Sequence, residues 1–276
     1  MRIIKAEKIK NAVAQLCLKA NFSLRPDVLS ALKSARAGEK NKRAKSILAA
    51  IIENARIAKK ERLAICQDTG LPTVFLEVGQ DVLIRGELKS AINKGIEEGY
   101  KRGYLRNSIV PDPLLRFGPG YSPVVIHTDI VKGKRIKITV LPKGFGCENK
   151  TQLKMFNPTA NTEEIKRFVI ETVKSAGPDA CPPYIVGVGI GATADYAVLL
   201  AKKSLLKTIG HRPSTIDPLT AKLLKEINKL NIGPMGLGGR ATALAVNIEK
   251  YPTHIAGLPV AVSISCHALR SASVLL

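Results

Sequence analysis

Tryptophan is absent from these 276 residues, and phenylalanine and tyrosine contribute only six each. A chain so poor in aromatic rings lacks the stacking platforms on which proteins hold single-stranded nucleic acid. Acidic residues are scarce as well: 22 Asp and Glu stand against 43 Lys and Arg, a formal charge of +21. The excess is not gathered into one tract but recurs at 40–45, 132–137, 202–207 and 222–229. It therefore reads as solvated basic faces, and a basic nucleic-acid-binding protein is kept as the rival from another class. No apolar run approaches the ~20 residues that span a bilayer. The first twenty residues carry charges throughout, unlike the apolar stretch of a secretory signal, so a cytoplasmic protein is expected.

Cysteine is limited to Cys17, Cys66, Cys147, Cys181 and Cys266, an odd number with no C-x-x-C pair. That spacing excludes a disulfide framework, a zinc ribbon and a ferredoxin-like run. For any one of the five, a small buried hydrophobe is the ordinary reading. Three of them sit at the edges of loops rich in glycine, proline or polar residues: Cys66 before Gln67-Asp68-Thr69-Gly70, Cys181 before Pro182-Pro183, and Cys266 before His267. They are 115 and 85 residues apart. Thiolates drawn from such distant loops suit a cluster held inside a fold, although by spacing alone inert thiols remain the ordinary reading.

Hydrophobic periodicity predicts an α+β chain, helical over 1–62 and mixed over 63–276, folded as a single mixed domain with a mixed sheet flanked by helices. Ile9, Val13 and Leu16 recur at helical spacing, as do Val28, Leu29 and Leu32 behind Pro26. A third helix carries Ile47, Leu48, Ile51 and Ile52, and a fourth spans 86–104, where glycines loosen the pattern. Val74, Leu76 and Val78 alternate as in a strand. The runs VVIHTDIV and RIKITVLP flank Lys132-Gly133-Lys134 and predict a β-hairpin. Asn161 and Glu164 form a capping-box signature, and Asp217-Pro218 reads as a second helix start. The glycines of GVGIGA suggest a nucleotide loop only weakly, for no spaced acidic ribose ligand follows.

Longer motifs say more. Ile65-Cys66-Gln67-Asp68-Thr69-Gly70, Gly103-Tyr104-Leu105-Arg106-Asn107-Ser108 and Val125-Ile126-His127-Thr128 occur in order. They are followed by the run 142–150 (PKGFGCENK), Cys181-Pro182-Pro183, and Gly236-Leu237-Gly238-Gly239 with the segment 242–246 (TALAV). With these motifs, nearly the whole chain resembles the α subunit of class I (iron–sulfur) fumarate hydratases and L-tartrate dehydratases.

The resemblance implies that Cys66, Cys181 and Cys266 hold a [4Fe–4S] cluster. The iron without a protein ligand would act as a Lewis acid on a departing hydroxyl. It implies Asp68 and His254 as catalytic residues, Asp68 as general acid/base and His254 orienting Asp68 or the substrate hydroxyl. It also gives Gln67, Arg106 and Gly146 as substrate-binding residues, with Gly144 beside Gly146 and His127 lining the same cavity. Cys17 and Cys147 fall outside the ligand motifs. Single-chain relatives carry a further domain, so a separate β subunit is expected to complete the site, with His267 and Arg270 near that interface. The expected activity is reversible hydration of fumarate to L-malate; the alternative is dehydration of L-tartrate to oxaloacetate.

Overall fold

The computed structural model describes residues 1–210 and 218–276. Helices and mixed sheets alternate along the chain, so the protein is α+β, as the periodicity predicts. Among the described residues no helix is long and apolar enough to cross a membrane.

The chain is organised as two compact units: Met1–Arg25, Asn54–Phe145 and Arg270–Leu276 form one, Pro26–Glu53 and Gly146–Leu269 the other. Each contains segments from distant parts of the sequence. The passage at 53/54 lies inside a helix, which is why no Gly/Ser linker marks a boundary.

The first unit is built on a four-stranded sheet of β2 (Leu71–Gly79), β4 (Val125–Val131), β5 (Ile136–Lys143) and β10 (Ala272–Leu275), in the order β10-β5-β2-β4. Beside it, β1 (Arg2–Lys5) pairs in parallel with β3 (Val82–Arg85), a strand pair that the helical reading of the N-terminus misses. The predicted hairpin does not form either. Although β4 and β5 are joined by a short turn, β2 lies between them, parallel to β4 and antiparallel to β5. The turn closes over the end of β2: Gln80 N–H donates to Val131 O at 2.8 Å, and Gly79 N–H to Arg135 O at 2.8 Å. A local turn signal reports the reversal of direction, not which strand fills the gap.

One sheet face buries Val74, Leu76, Ile138 and Val140 against Ile9, Val13 and Leu16 of α1 (Ala6–Phe22) and Ile92, Ile96 and Tyr100 of α4 (Leu88–Arg102). The glycines of α4 do not loosen it. A Cβ built on Gly95 would stand 2.5 Å from Lys10 O, and one on Gly99 2.7 Å from Ala14 O. They are the positions at which the two helices cross closely.

The second unit has the sheet order β6-β9-β7-β8, with β6 (Gln152–Phe156), β7 (Tyr184–Gly191), β8 (Ala243–Tyr251) and β9 (Leu258–Ser265). β7 is parallel to β8 and antiparallel to β9. Val186, Val188, Val260, Val262 and Ile264 pack with Val169 and Val173 of α6 (Thr162–Ala176) and with Leu223 and Ile227 of α8 (Pro218–Lys229). α7 (Ala194–Ser204) buries Ala197 and Ala201 with Ala261. The predicted capping box is formed: Asn161 Oδ1 accepts from Glu163 and Glu164 N–H, and Glu164 Oε2 from Asn161 N–H. Asp217 lies outside the described residues; Pro218 opens α8.

This unit also contains α2 (Pro26–Gly38) and the start of α3 (Lys42–Glu61), joined by a buried carboxylate. Glu39 Oε1 accepts from Lys40 and Asn41 N–H at 2.9 and 3.0 Å, and Oε2 from Arg240 N–H at 2.8 Å. Burial pulls its pKa upward, but the amides of Asn41, Arg240 and Lys40 outweigh it, so the net shift is downward. A depressed carboxylate contributes stability above its ordinary pKa and loses it as pH falls through the folded value. Glu39→Gln should remove that acid-range dependence, and its –NH2 facing Arg240 N–H should cost about 1–3 kcal/mol. Urea melts across the carboxylate pH range check both; parallel curves for variant and parent would refute the assignment.

Candidate active site

In the first unit, the Cys66–Gly70 loop enters β2 and is held from several sides. Tyr100, buried on α4, donates its hydroxyl to Thr69 O at 2.9 Å and Gly70 O at 3.1 Å. Burial raises the Tyr100 pKa, which keeps that hydroxyl a donor. Thr69 Oγ1 accepts from Arg106 N–H at 3.0 Å, fixing the predicted carboxylate clamp beside the loop. The structure thus brings Cys66, Gln67, Asp68 and Arg106 together. Cys66 and Asp68 are half-buried while Gln67 and Arg106 are exposed, so the group opens to the surface.

Asp68 is oriented through both carboxylate oxygens. Oδ1 accepts from Gly70 N–H at 3.0 Å, a local turn bond, and Oδ2 from Phe145 N–H at 2.8 Å. Glycine at 144 makes the second contact possible, since a Cβ there would lie 2.9 Å from Asp68 Oδ2. Each oxygen keeps a further lone pair with which to take a proton. Gly146 follows Phe145 within the one-turn helix α5 (Phe145–Glu148); a Cβ on it would meet only Asp179 O, at 3.8 Å, so its backbone stays approachable.

His127 is placed differently. It sits well inside β4, paired with Phe75 and stacked on that ring with centroids 5.3 Å apart.

In the second unit, Cys181 and Cys266 stand at one end of the sheet, before β7 and after the antiparallel β9. His267 ties their loops together: its N–H reaches Cys181 O at 3.4 Å, and Nδ1 lies 3.0 Å from the same oxygen. A carbonyl only accepts, so Nδ1 carries the proton. Met235 N–H donates to Pro182 O at 2.8 Å, bringing the glycine-rich turn 233–239 to the same end. Cys181 holds φ +55°, a left-handed conformation that costs an ordinary L-residue about 1–2 kcal/mol. Cysteine in a position that suits glycine points to a need for its side chain.

His254 lies elsewhere. It precedes β9, whereas Cys266 follows it, and a strand of eight residues is about 26 Å long. The exposed imidazole accepts from Ala256 N–H at 3.1 Å and flanks a hollow lined by Tyr196, Tyr251 and Thr253 at the other end of the sheet. Within this unit, then, His254 and Cys266 stand at opposite ends of β9. A separation of twelve residues looks short in sequence, but here it contains a whole strand.

Arg270, in the same unit as Asp68, is only 3% exposed and donates from Nη2 to Asp68 O at 2.7 Å. With 202 positions between the two, that bond is not legible in the sequence.

The five cysteines divide by burial. Cys17 and Cys147 are buried, and burial raises the Cys17 thiol pKa, as expected of inert packing residues; Cys66, Cys181 and Cys266 are all partly exposed, and none of the five is in a disulfide. Among the described residues no set of three His, Cys, Asp or Glu side chains is gathered at metal-binding distances. The donor chemistry nevertheless suits an iron–sulfur group, which takes thiolates.

A family model described as "Fumarate hydratase (Fumerase)" matches residues 10–275. The chain is 42% identical over 275 residues to the "Putative L(+)-tartrate dehydratase subunit alpha" of Methanocaldococcus jannaschii, covering 96% of both chains. It is 30% identical to the "L(+)-tartrate dehydratase subunit alpha" of Escherichia coli K12, covering 97% of this chain and 90% of that one. With the family motifs standing on two loop systems and the match running almost end to end, the chain belongs to the fumarate hydratase (Fumerase) family of hydro-lyases.

Proposed function

We propose that this chain is the α subunit of a two-subunit iron–sulfur hydro-lyase that dehydrates L-tartrate to oxaloacetate. Tartrate replaces fumarate as the leading substrate. Relatives matching along almost the whole chain carry the tartrate name, whereas the fumarate name belongs to the family model. Their designation as alpha subunits supports a β partner that completes the site.

Cys66, Cys181 and Cys266 are assigned as the thiolates of a [4Fe–4S] cluster, which when bound supplies a Lewis acid that weakens the bond to the leaving hydroxyl. The remaining work falls to the chain's own residues. Arg106 offers a planar, bidentate donor to one substrate carboxylate, and Gln67 a hydrogen-bonding amide. Gly146 leaves a backbone N–H within approach of the substrate. Asp68, already fixed by two amides, takes the proton from the carbon adjacent to the one that loses its hydroxyl. Loss of that proton and of hydroxide leaves the enol, which becomes oxaloacetate. His254 is left out of this assignment.

The observation that carries this reading is the bond from the backbone N–H of Arg106 to Thr69 Oγ1, which holds the Arg106 backbone next to the loop that bears the Cys66 thiol and the Asp68 carboxylate. The test is anaerobic reconstitution with a β subunit, assaying oxaloacetate from L-tartrate against malate from fumarate. Faster turnover of tartrate is expected. Turnover of fumarate alone would overturn the substrate, and absence of bound iron and sulfide would overturn the cluster.

A further inference from the structure

Arg270 is a buried charge that the proposed chemistry does not use. Its guanidinium lies within the first unit, 3% exposed, with Nη1 donating to Asn21 Oδ1 at 3.2 Å and Nη2 to Asp68 O at 2.7 Å. Among the described residues the buried Nε–H has no hydrogen-bond partner, and the bonds of the two Nη groups go to two neutral oxygens, not to a carboxylate. Burying a cation on such terms is expensive, and a residue serving packing alone would be better apolar. What it gains is a hold on one backbone carbonyl.

That carbonyl belongs to Asp68. Asn21, the other acceptor, is itself fully buried: its Nδ2 donates to Cys17 O at 3.0 Å, and its own O accepts from Ile65 N–H at 3.0 Å. The Arg270–Asn21 pair thus reaches both Ile65 and Asp68 and so grips the chain on either side of Cys66 and Gln67. Tyr100 holds the two following carbonyls, of Thr69 and Gly70. We propose that Arg270 is a positioning residue: by fixing the Asp68 carbonyl it sets the conformation of the Cys66–Gly70 loop, and with it the direction of the Asp68 carboxylate.

The inference rests on the role given to Asp68 above, but it can be tested apart from it. Amide hydrogen exchange on the full chain reads Gly70 and Phe145, the two N–H groups bonded to the Asp68 carboxylate. In Arg270→Met, which keeps the stem and removes the donors, both should exchange at least tenfold faster, while core amides of β2 and β5 change by less than twofold. Arg270→Lys, which restores charge and one donor, should lie between. If the Met variant does not fold, the Lys variant decides, with threefold or greater acceleration expected at the same two amides.

In the reconstituted enzyme with its β subunit, kcat should fall at least tenfold with KM within about threefold, and the lysine variant should recover part of it. Unchanged protection at Gly70 and Phe145, or an equal loss across the whole unit, would overturn the positioning role. Loss of protection in the variants together with a parent that turns over no hydroxy diacid would leave the loop device standing and sink the hydro-lyase reading instead.

Discussion

Serine at Cys66, Cys181 or Cys266 should abolish cluster retention, and serine at Cys17 should not. Each of the first three is partly exposed at a loop edge, and Cys181 is held at a backbone angle that ordinarily selects glycine. Cys17 is buried in the α1–α4 core, where its thiol behaves as a small hydrophobe. Removing an outer partner of a metal ligand typically costs about 10–100-fold in affinity or activity. Loss of a ligand itself should exceed that, so activity should fall by more than about a hundredfold with iron and sulfide well below the parent's. Cys17→Ser should instead lower stability by about 1–3 kcal/mol, through burying a hydroxyl in an apolar core, with cofactor content unchanged. Anaerobic iron and sulfide assays beside denaturant melts separate the two behaviours. Full cofactor content in Cys181→Ser or Cys266→Ser would remove those residues from the ligand set.

Alanine at Gly187 or Gly189 should strongly destabilise the second unit. Both glycines are in β7 on the face toward α7. A Cβ at 187 would stand 2.2 Å from Ala201 O, and one at 189 would stand 2.1 Å from Ala197 O. Real atoms do not approach so closely, and the obstacles are helix carbonyls that cannot rotate aside. Ordinary overpacking costs about 1–3 kcal/mol. Here a whole helix must be lifted from the sheet, so a loss above ~3 kcal/mol is expected, a large share of a domain's ~5–15. The measurement is the urea midpoint followed by a probe in the second unit. A shift under 1 kcal/mol in both variants would show that α7 can move away at little cost. These glycines serve helix-on-strand approach, not a phosphate loop.

Some of this was legible in the sequence. The capping box of Asn161 and Glu164 and the helices with apolar stripes are specified by neighbours within a few residues, where periodicity and caps operate. Clear motifs also marked the Cys66–Gly70 loop and Arg106, and Thr69 does join them. What failed depended on distance. The β4–β5 turn could not reveal that β2 fills the space between its strands. The twelve residues from His254 to Cys266 could not reveal that a whole strand stands between them. Arg270 stands beside a cysteine motif, but its bonds to Asn21 and Asp68 cannot be read there, because those partners lie more than 200 positions earlier.

The placement of β10 has a consequence for synthesis on the ribosome. Ala272 pairs with Val140 and Leu275 with Lys137, so the strand that finishes the first sheet is translated long after its neighbour. Until residues 270–276 emerge, one margin of β5 carries unpaired amides, and the loop bearing Asp68 lacks its arginine strut. A nascent chain halted anywhere short of that tail would expose a sticky border, a natural target for chaperones that shield bare strands.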